Sequence, residues 1–443
     1  MIDTFPLICH KNGGETFAFQ DGRKITVNQF LRDVYQLAAL LPEQPYLLNL
    51  CTDRYRFIVG FSAALVRKQI NLLPPNHTVS LIEKLSQQYA GMYCLTDTAN
   101  EHFSLETVSF PQFSEMDATN HLVPSISSSQ VAAIVFTSGS TGESLPYRKT
   151  WGGLARSARA AAERLGVNSF PELSVLGTVP PQHMYGLEST ALIAMQGGLT
   201  MHAGKPFFPA DIFAQLDALP RPRMLVTTPV HLRALMAEYA ALPPVDIVLC
   251  ATAPLLPQLA IEAEKQFGAR LYEIYGCTES GQVATRRTAQ TLEWGTFQDV
   301  MLRQDARGTW VRGAHVETEI LLNDLIDLHS TETFLLQGRT ADLINIAGKR
   351  TSLSNLNHHL NAIEGVKDGV FVMPDDKDGD VTRLMAFVVA PNLTSEALMH
   401  ALRQRIDPAF LPRPLRFVAA LPRNQTGKLP REALQKLVSE LVL

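Results

Sequence analysis

Apolar residues recur along this chain in two alternating rhythms. Residues 28–41, NQFLRDVYQLAALL, have the spacing of one helix face. YLLNLC (46–51) is a continuous apolar run of strand length, and 54–68 returns to helical spacing. The alternation resumes downstream. VAAIVF (131–136) precedes a predicted helix near 151–165, and SVLGTV (174–179) precedes one near 187–196. MLVTT (224–228) precedes one near 230–241, DIVLCA (246–251) precedes one near 255–267, and LYEIY (271–275) follows. Strands alternating with helices predict an α/β fold whose sheets are mostly parallel and flanked by helices. Ligands of such sheets bind in the crevice beyond the carboxyl ends of the strands.

SISSSQ (125–130) reads as a short polar linker inside this region. Near residue 338 the rhythm changes. After GRTADLINIAGKR the elements shorten: strands at 368–373, 383–390 and 415–419, helices at 395–406 and 430–441. The predicted division is a large multi-layer domain over 1–338 and a small α+β domain over 339–443. At 443 residues the chain exceeds what one hydrophobic core usually supports, which agrees with two domains.

Composition narrows the function classes. Apolar residues make up 46% and charged residues 19%, so a packed core is expected rather than disorder. The net charge of −4 implies no strongly basic face and no nucleic-acid partner. Five scattered cysteines, none in a C-x-x-C pair, do not make a disulfide framework; reduced thiols in the cytoplasm are expected. MIDTFPLICHKNGG lacks the basic-then-apolar pattern of a leader. FIVGFSAALV (57–66) is far short of the ~20 residues of a membrane span, and reads as a buried helix.

The chemistry concentrates in FTSGSTGESLPYRK (136–149), directly after the apolar run VAAIVF. Gly139 and Gly142 admit tight or left-handed backbone. Successive N–H groups, with the hydroxyls of Thr137, Ser138, Ser140 and Thr141, can surround phosphate oxygens, and Lys149 can add a point charge. Glu143 follows Gly142, so this is not a Walker A loop. On composition alone a polar surface hairpin is as good a reading.

TSGSTG resembles the phosphate loop of the adenylate-forming enzymes, which include acyl- and aryl-CoA synthetases, peptide-synthetase adenylation domains and luciferases. Lys149 stands three or four residues later than the basic residue of that pattern. Three further stretches are similar to the family's motifs, in its order. They are YEIYGCTESG (272–281), LLQGRTADLINIAGKR (335–350) and NQTGKLPREAL (424–434). PPQHMYGLES (180–189) and ATAPL (251–255) are similar to its H-x-x-G and G-A-P-L segments. Together these span residues 131–434.

The resemblance implies ATP and Mg²⁺ as cofactors and CoA or a phosphopantetheinylated acyl carrier protein as acceptor. It implies that Thr137, Ser138, Gly139, Ser140, Thr141, Gly142 and Lys149 hold the β- and γ-phosphates. Glu279 is the implied magnesium ligand and Thr278 a phosphate contact. Ala253, Tyr275 and Gly276 flank the adenine or the acyl group, and Arg339 reaches ribose or phosphate. Asp324 is the ribose acceptor, with Asp327 as competitor. Lys428 is the catalytic cation between carboxylate and α-phosphate, delivered by a small domain that rotates between half-reactions. The family's pivot residue is here Ala341, with Asp342 next. Lys349 and Arg350 either meet the acceptor's phosphates or form a charged hairpin face. His183 lines the acyl tunnel or is a satisfied loop histidine, and His358 with His359 reads as surface.

Met184 and Tyr185 beside His183 offer no counter-charge for an α-amine, so a simple carboxylic acid is expected as substrate. The compact chain looks like bacterial ligases that occur with aryl-polyene pigment synthesis, which implies a hydroxylated aromatic acid. A fatty or β-hydroxy acid ligase, an inactive adenylate-binding scaffold and a luciferase-like oxidoreductase are the rival readings.

Overall fold

The computed structural model describes residues 3–98, 103–113, 121–137, 145–339, 343–346, 349–374, 384–424 and 427–441. Two large sheets form the first part of the chain. One has six strands in the order Leu145–Thr150, Val131–Thr137, Ile70–Leu73, Tyr46–Asn49, Met92–Thr96, Thr107–Ser109. Every pairing in it is parallel except the first. The other has eleven strands. Its parallel centre runs Arg270–Cys277, Ile247–Cys250, Arg223–Thr227, Ser174–Gly177, Thr200–His202, Thr16–Gln20. The parallel α/β expectation therefore holds at the centre of both sheets.

Helix Arg54–Val66 joins the sheets. It is buried over nearly its whole length, and it packs on helix Val27–Leu40, on strands Tyr46–Asn49 and Ile70–Leu73 of the smaller sheet, and on Thr200–His202 of the larger. Each fully buried Phe, Ile, Val or Leu there contributes roughly 1.5–3 kcal/mol relative to exposure. This is the FIVGFSAALV segment, and it is a core helix; no described helix is long and apolar enough to cross a membrane. Val27–Leu40 is amphipathic. It starts in a capping box between Thr26 and Gln29 and buries Phe30, which stacks on Phe17 with ring centroids 3.8 Å apart.

The antiparallel outworks were not legible. Strands Gly281–Arg286, Trp294–Thr296, Thr333–Arg339 and Asp324–Leu328 extend the large sheet, and Met301–Asp305, Gly308–Gly313 and Val316–Leu321 form a separate one. Val316–Leu321 is mostly exposed, so no apolar alternation marks it. Helices Val79–Gln88, Pro209–Ala218 and Leu353–Asn361 were likewise not anticipated; each buries only two residues. The linker reading of 125–130 needs correcting, because Ser125–Ser127 is a strand paired antiparallel with Thr4–Pro6.

The last hundred residues form a three-stranded sheet, Asp368–Val372, Met385–Val389 and Leu415–Phe417. Side-chain alternation divides its faces. Phe371, Ala386 and Val388 pack with Leu356, Leu360, Leu398 and Leu402 of helices Leu353–Asn361 and Ser395–Arg403. Val370, Val372, Met385 and Phe387 face Leu434, Leu437 and Val438 of helix Arg431–Leu441. All five cysteines are free thiols.

Candidate active site

The parallel strands of the large sheet end at a common edge, and the candidate residues gather there. Strand Arg270–Cys277 runs on into a turn through Thr278, Glu279 and Ser280 and returns as Gly281–Arg286. The return is tight. A Cβ on Gly276 would lie 2.2 Å from the Gly281 carbonyl oxygen and 3.0 Å from the Gln282 Cα, so only glycine permits it. The Cys277 thiol sits 3.1 Å from the Ser280 hydroxyl; burial, reinforced by the Glu279 charge, pushes it up to about 11. It is a protonated wall group rather than a nucleophile.

Lys149 supports this turn from the neighbouring sheet. Leu145–Thr150 pairs with Val131–Thr137, which sets Leu145 opposite Thr137 and Lys149 opposite Ala133. The Lys149 ammonium donates to the Glu279 carbonyl oxygen at 2.7 Å. Burial lowers its pKa, and the carboxylates of Glu188, Glu279 and Glu317 oppose that shift. Ser138, Gly139, Ser140, Thr141 and Gly142, and with them Ala341 and Asp342, lie outside the described residues.

Glu188 escaped the sequence reading as a functional group, although it lies within the quoted PPQHMYGLES. It is 3% exposed, on the π-helical stretch Leu187–Leu192, and accepts a 2.7 Å bond from Ser157 Oγ. A Cβ on Gly281 would stand 3.1 Å from its Oε1. Burial raises its pKa, against the Ser157 hydrogen bond, the Lys149 charge and a backbone donor at Gln282. Its signal was a lone carboxylate in the apolar run YGLESTALIAM.

Tyr275 and Asp324 come together. The Tyr275 hydroxyl donates to Asp324 Oδ2 at 2.7 Å, while its ring packs on Trp294 and Phe334 with centroids 5.7 and 5.5 Å away. Asp324 pairs across the ladder with Arg339. Asp327, the competitor, is 60% exposed and lies 3.9 Å from His329. Ala253 is half-buried in the loop after Ile247–Cys250. That loop is fixed by buried Glu273, which accepts from the Leu255 amide at 3.2 Å and pairs with Arg286 at 2.6 Å.

His183 comes from the large domain and Lys428 from the small one. His183 begins the turn that leads into Met184–Gly186. Tyr185 anchors that turn by donating to the Thr227 and Leu249 carbonyls, both at 2.9 Å. Burial first, and then the charges of Lys428, His77 and Lys205, hold the His183 imidazole at about 4. The turn bearing Lys428 rests on the start of helix Pro229–Glu238. Gly427, at φ +74°, is close enough that a Cβ would stand 3.2 Å from Val230 Cγ2 and 3.4 Å from Thr228 Oγ1. Lys349 is engaged elsewhere, bonding Asp407 at 2.6 Å within the small domain.

Among the described residues no cluster of three or more His, Cys, Asp or Glu is placed to hold a metal. Glu279 offers one carboxylate at the edge of the turn. That fits Mg²⁺, which takes one or two carboxylates and completes its shell with phosphate oxygens and water.

Two outcomes follow from this geometry. Gly276→Ala displaces the Thr278 and Glu279 turn, and initial-rate kinetics should show ATP use reduced about a hundredfold. His183 stays neutral in the folded chain down to about 4, against about 6.5 unfolded, so the unfolded chain binds the extra proton in that window. The thermal midpoint of the wild type should therefore fall relative to that of His183→Gln as pH drops from about 6.5 toward 4.

The sequence matches the family model described as AMP-binding enzyme over residues 51–309, more than half of the chain. It matches the AMP-binding enzyme C-terminal domain over 359–428. It is 28% identical over 305 residues to 4-coumarate–CoA ligase of Rhodobacter capsulatus, covering 68% of this chain and 75% of that protein. It is 23% identical over 384 residues to 2,3-dihydroxybenzoate-AMP ligase of Bacillus subtilis, covering 76% and 70%. Among solved structures, the fold is that of ATP-bound MatB from Rhodopseudomonas palustris, with TM-score 0.82, 17% identity, and 98% and 97% of the two chains covered. It is also that of O-succinylbenzoate coenzyme A synthetase from Bacillus subtilis in complex with AMP, with TM-score 0.78, 19% identity and 95% of each chain covered. With one family model over its large domain and the companion model over its small one, the chain belongs to the AMP-binding enzyme family.

Proposed function

We propose that the protein activates a carboxylic acid with ATP and passes the acyl group to a thiol, as an AMP-forming acid–thiol ligase. The acid is aromatic and hydroxylated, and the thiol belongs to CoA or to the phosphopantetheine of a carrier protein. The observation that carries this reading is the approach of the Gly427–Lys428 turn of the small domain to Thr228 and Val230 of the large domain, near enough for the Lys428 charge to act on His183. The relatives named for 4-coumarate, 2,3-dihydroxybenzoate and 2-succinylbenzoate support an aromatic acid.

In the first step a carboxylate oxygen of the acid attacks the α-phosphorus of ATP. The bond from that phosphorus to the bridging oxygen breaks, and pyrophosphate leaves. Two anions approach each other, so cations must offset the charge that builds at the α-phosphate. Lys428 supplies an ammonium there. Thr137 and the residues after it, up to Gly142, hold the departing phosphates, with Thr278 as a further donor. Glu279 would hold Mg²⁺, which would supply charge neutralisation at the phosphates. Asp324, oriented by the Tyr275 hydroxyl, accepts from a ribose hydroxyl, and Arg339 reaches ribose or phosphate. Ala253 and Gly276 leave room beside the adenine. Neutral His183 borders the acyl group without competing for its negative charge.

In the second step the thiolate attacks the acyl carbonyl carbon. The mixed anhydride bond breaks, AMP leaves, and the proton of the thiol passes to solvent. The division at 338 and 339 lets the small domain turn between the steps, so that Lys428 serves only the first.

Acid-dependent ATP–pyrophosphate exchange across benzoates, cinnamates and fatty acids tests the activity, and a comparison of CoA with a phosphopantetheinylated carrier tests the acceptor. Lys428→Ala should lose about a hundredfold or more in exchange while thioester formation from preformed acyl-adenylate continues. Equal loss in both half-reactions would remove Lys428 from this role.

A further inference from the structure

We propose that Arg233 is a positioning residue for Lys428: its bond across the two domains, relayed through Asp368 and Arg423, fixes the turn of Gly427 and Lys428 in this domain arrangement. The inference rests on the reading of Lys428 as the adenylation lysine.

Arg233 lies on helix Pro229–Glu238, whose first turn also carries Val230, the residue that Gly427 approaches. Its Nη1 donates to the Lys367 carbonyl oxygen of the small domain at 2.9 Å. The next residue, Asp368, receives both forks of Arg423, Nε to Oδ2 at 2.7 Å and Nη2 to Oδ1 at 2.8 Å. The remaining terminal nitrogen of Arg423, Nη1, donates to the Gly427 carbonyl oxygen at 2.9 Å. A planar guanidinium bonded on both sides restrains the geometry between Asp368 and Gly427.

Asn424 completes the turn. Its backbone amide donates to the Lys428 carbonyl at 2.8 Å, and its side-chain oxygen accepts from the Lys428 amide at 3.0 Å. The Gly427 amide donates to the Asn424 carbonyl at 2.9 Å. The backbone of Lys428 is thus tied to Asp368 entirely by hydrogen bonds inside the small domain. Arg233 ties the start of that same strand to the large domain. A rotation that swings the small domain away must break the Arg233 bond first, while the internal clamp travels intact.

This arrangement separates two effects. Arg423 shapes the lysine turn in every domain pose, whereas Arg233 acts only in the pose that brings Lys428 to the strand ends. Leu232 and Leu235 anchor the helix in the core of the large domain, and Arg233 is not part of that core.

The test uses the full-length protein carrying Arg233→Met, assayed for ATP–pyrophosphate exchange and for thioester formation from preformed acyl-adenylate. Exchange kcat should fall about tenfold or more with KM for ATP and acid within about twofold, while thioester formation keeps its wild-type rate. Arg233→Lys, which keeps a donor at this site, should recover part of the loss. The double variant Arg233→Met with Arg423→Met should lose no more exchange than Arg423→Met alone, because the two act in one chain of contacts. Equal loss in both half-reactions, unchanged exchange, or additive losses in the double variant would overturn the proposal. Undiminished exchange in Lys428→Ala would instead overturn the parent reading, and this one with it.

Discussion

Where parallel strands stop, their last peptide groups lose their sheet partners, and buried backbone groups must find others. The architecture at the working edge follows from how this is met. Tyr185 spends one hydroxyl on two carbonyls, those of Thr227 and Leu249, at the ends of adjacent strands. The Thr178 amide bonds the Val226 carbonyl at 2.9 Å. Glu273 receives the Leu255 amide and so holds the loop containing Ala253. Tyr185, Glu273 and Leu255 are themselves part of the motif segments, so satisfying the sheet and building the site are one task. The position of His183 is a by-product of the Tyr185 anchor two residues later.

Charge is handled by burial and pairing in this region. Glu188 and Lys149 each resist ionisation because they are buried, and each relieves the other. The direct tie between the sheets is the Lys149 ammonium, from the smaller one, bonded to the Glu279 carbonyl on the hairpin of the larger at 2.7 Å. His183 follows the opposite logic, shedding its proton because burial and nearby cations disfavour a further positive charge.

The parts legible in the sequence were those with strong apolar rhythm or special backbone. The buried helix Arg54–Val66, helix Trp151–Leu165 and the central parallel strands announced themselves by long apolar runs. Gly139 and Gly142 marked special backbone from the sequence, whereas the tight approaches at Gly276 and Gly427 emerged only from the structure. Among the antiparallel strands between Gly281 and Arg339, Met301–Asp305 and Val316–Leu321 were silent because largely exposed strands carry weak alternation. Arg233, Asp368 and Arg423 were silent for another reason. Each is an ordinary charged residue whose meaning comes only from neighbours 55 or 134 positions away, as the Arg423–Asp368 and Arg233–Lys367 contacts show. Counting back from Arg339 favoured Asp324 over Asp327, and in the structure the Tyr275 hydroxyl reaches Asp324 while Asp327 lies exposed.

The pairing of Leu145 with Thr137 has an evolutionary corollary. Facing residues in an antiparallel ladder are held about 5 Å apart whatever the length of chain that connects them. Insertions between these two anchors leave the strand beyond in register. A lineage can therefore lengthen or shorten the Ser/Thr/Gly-rich segment between them without disturbing Lys149 or the architecture beneath it.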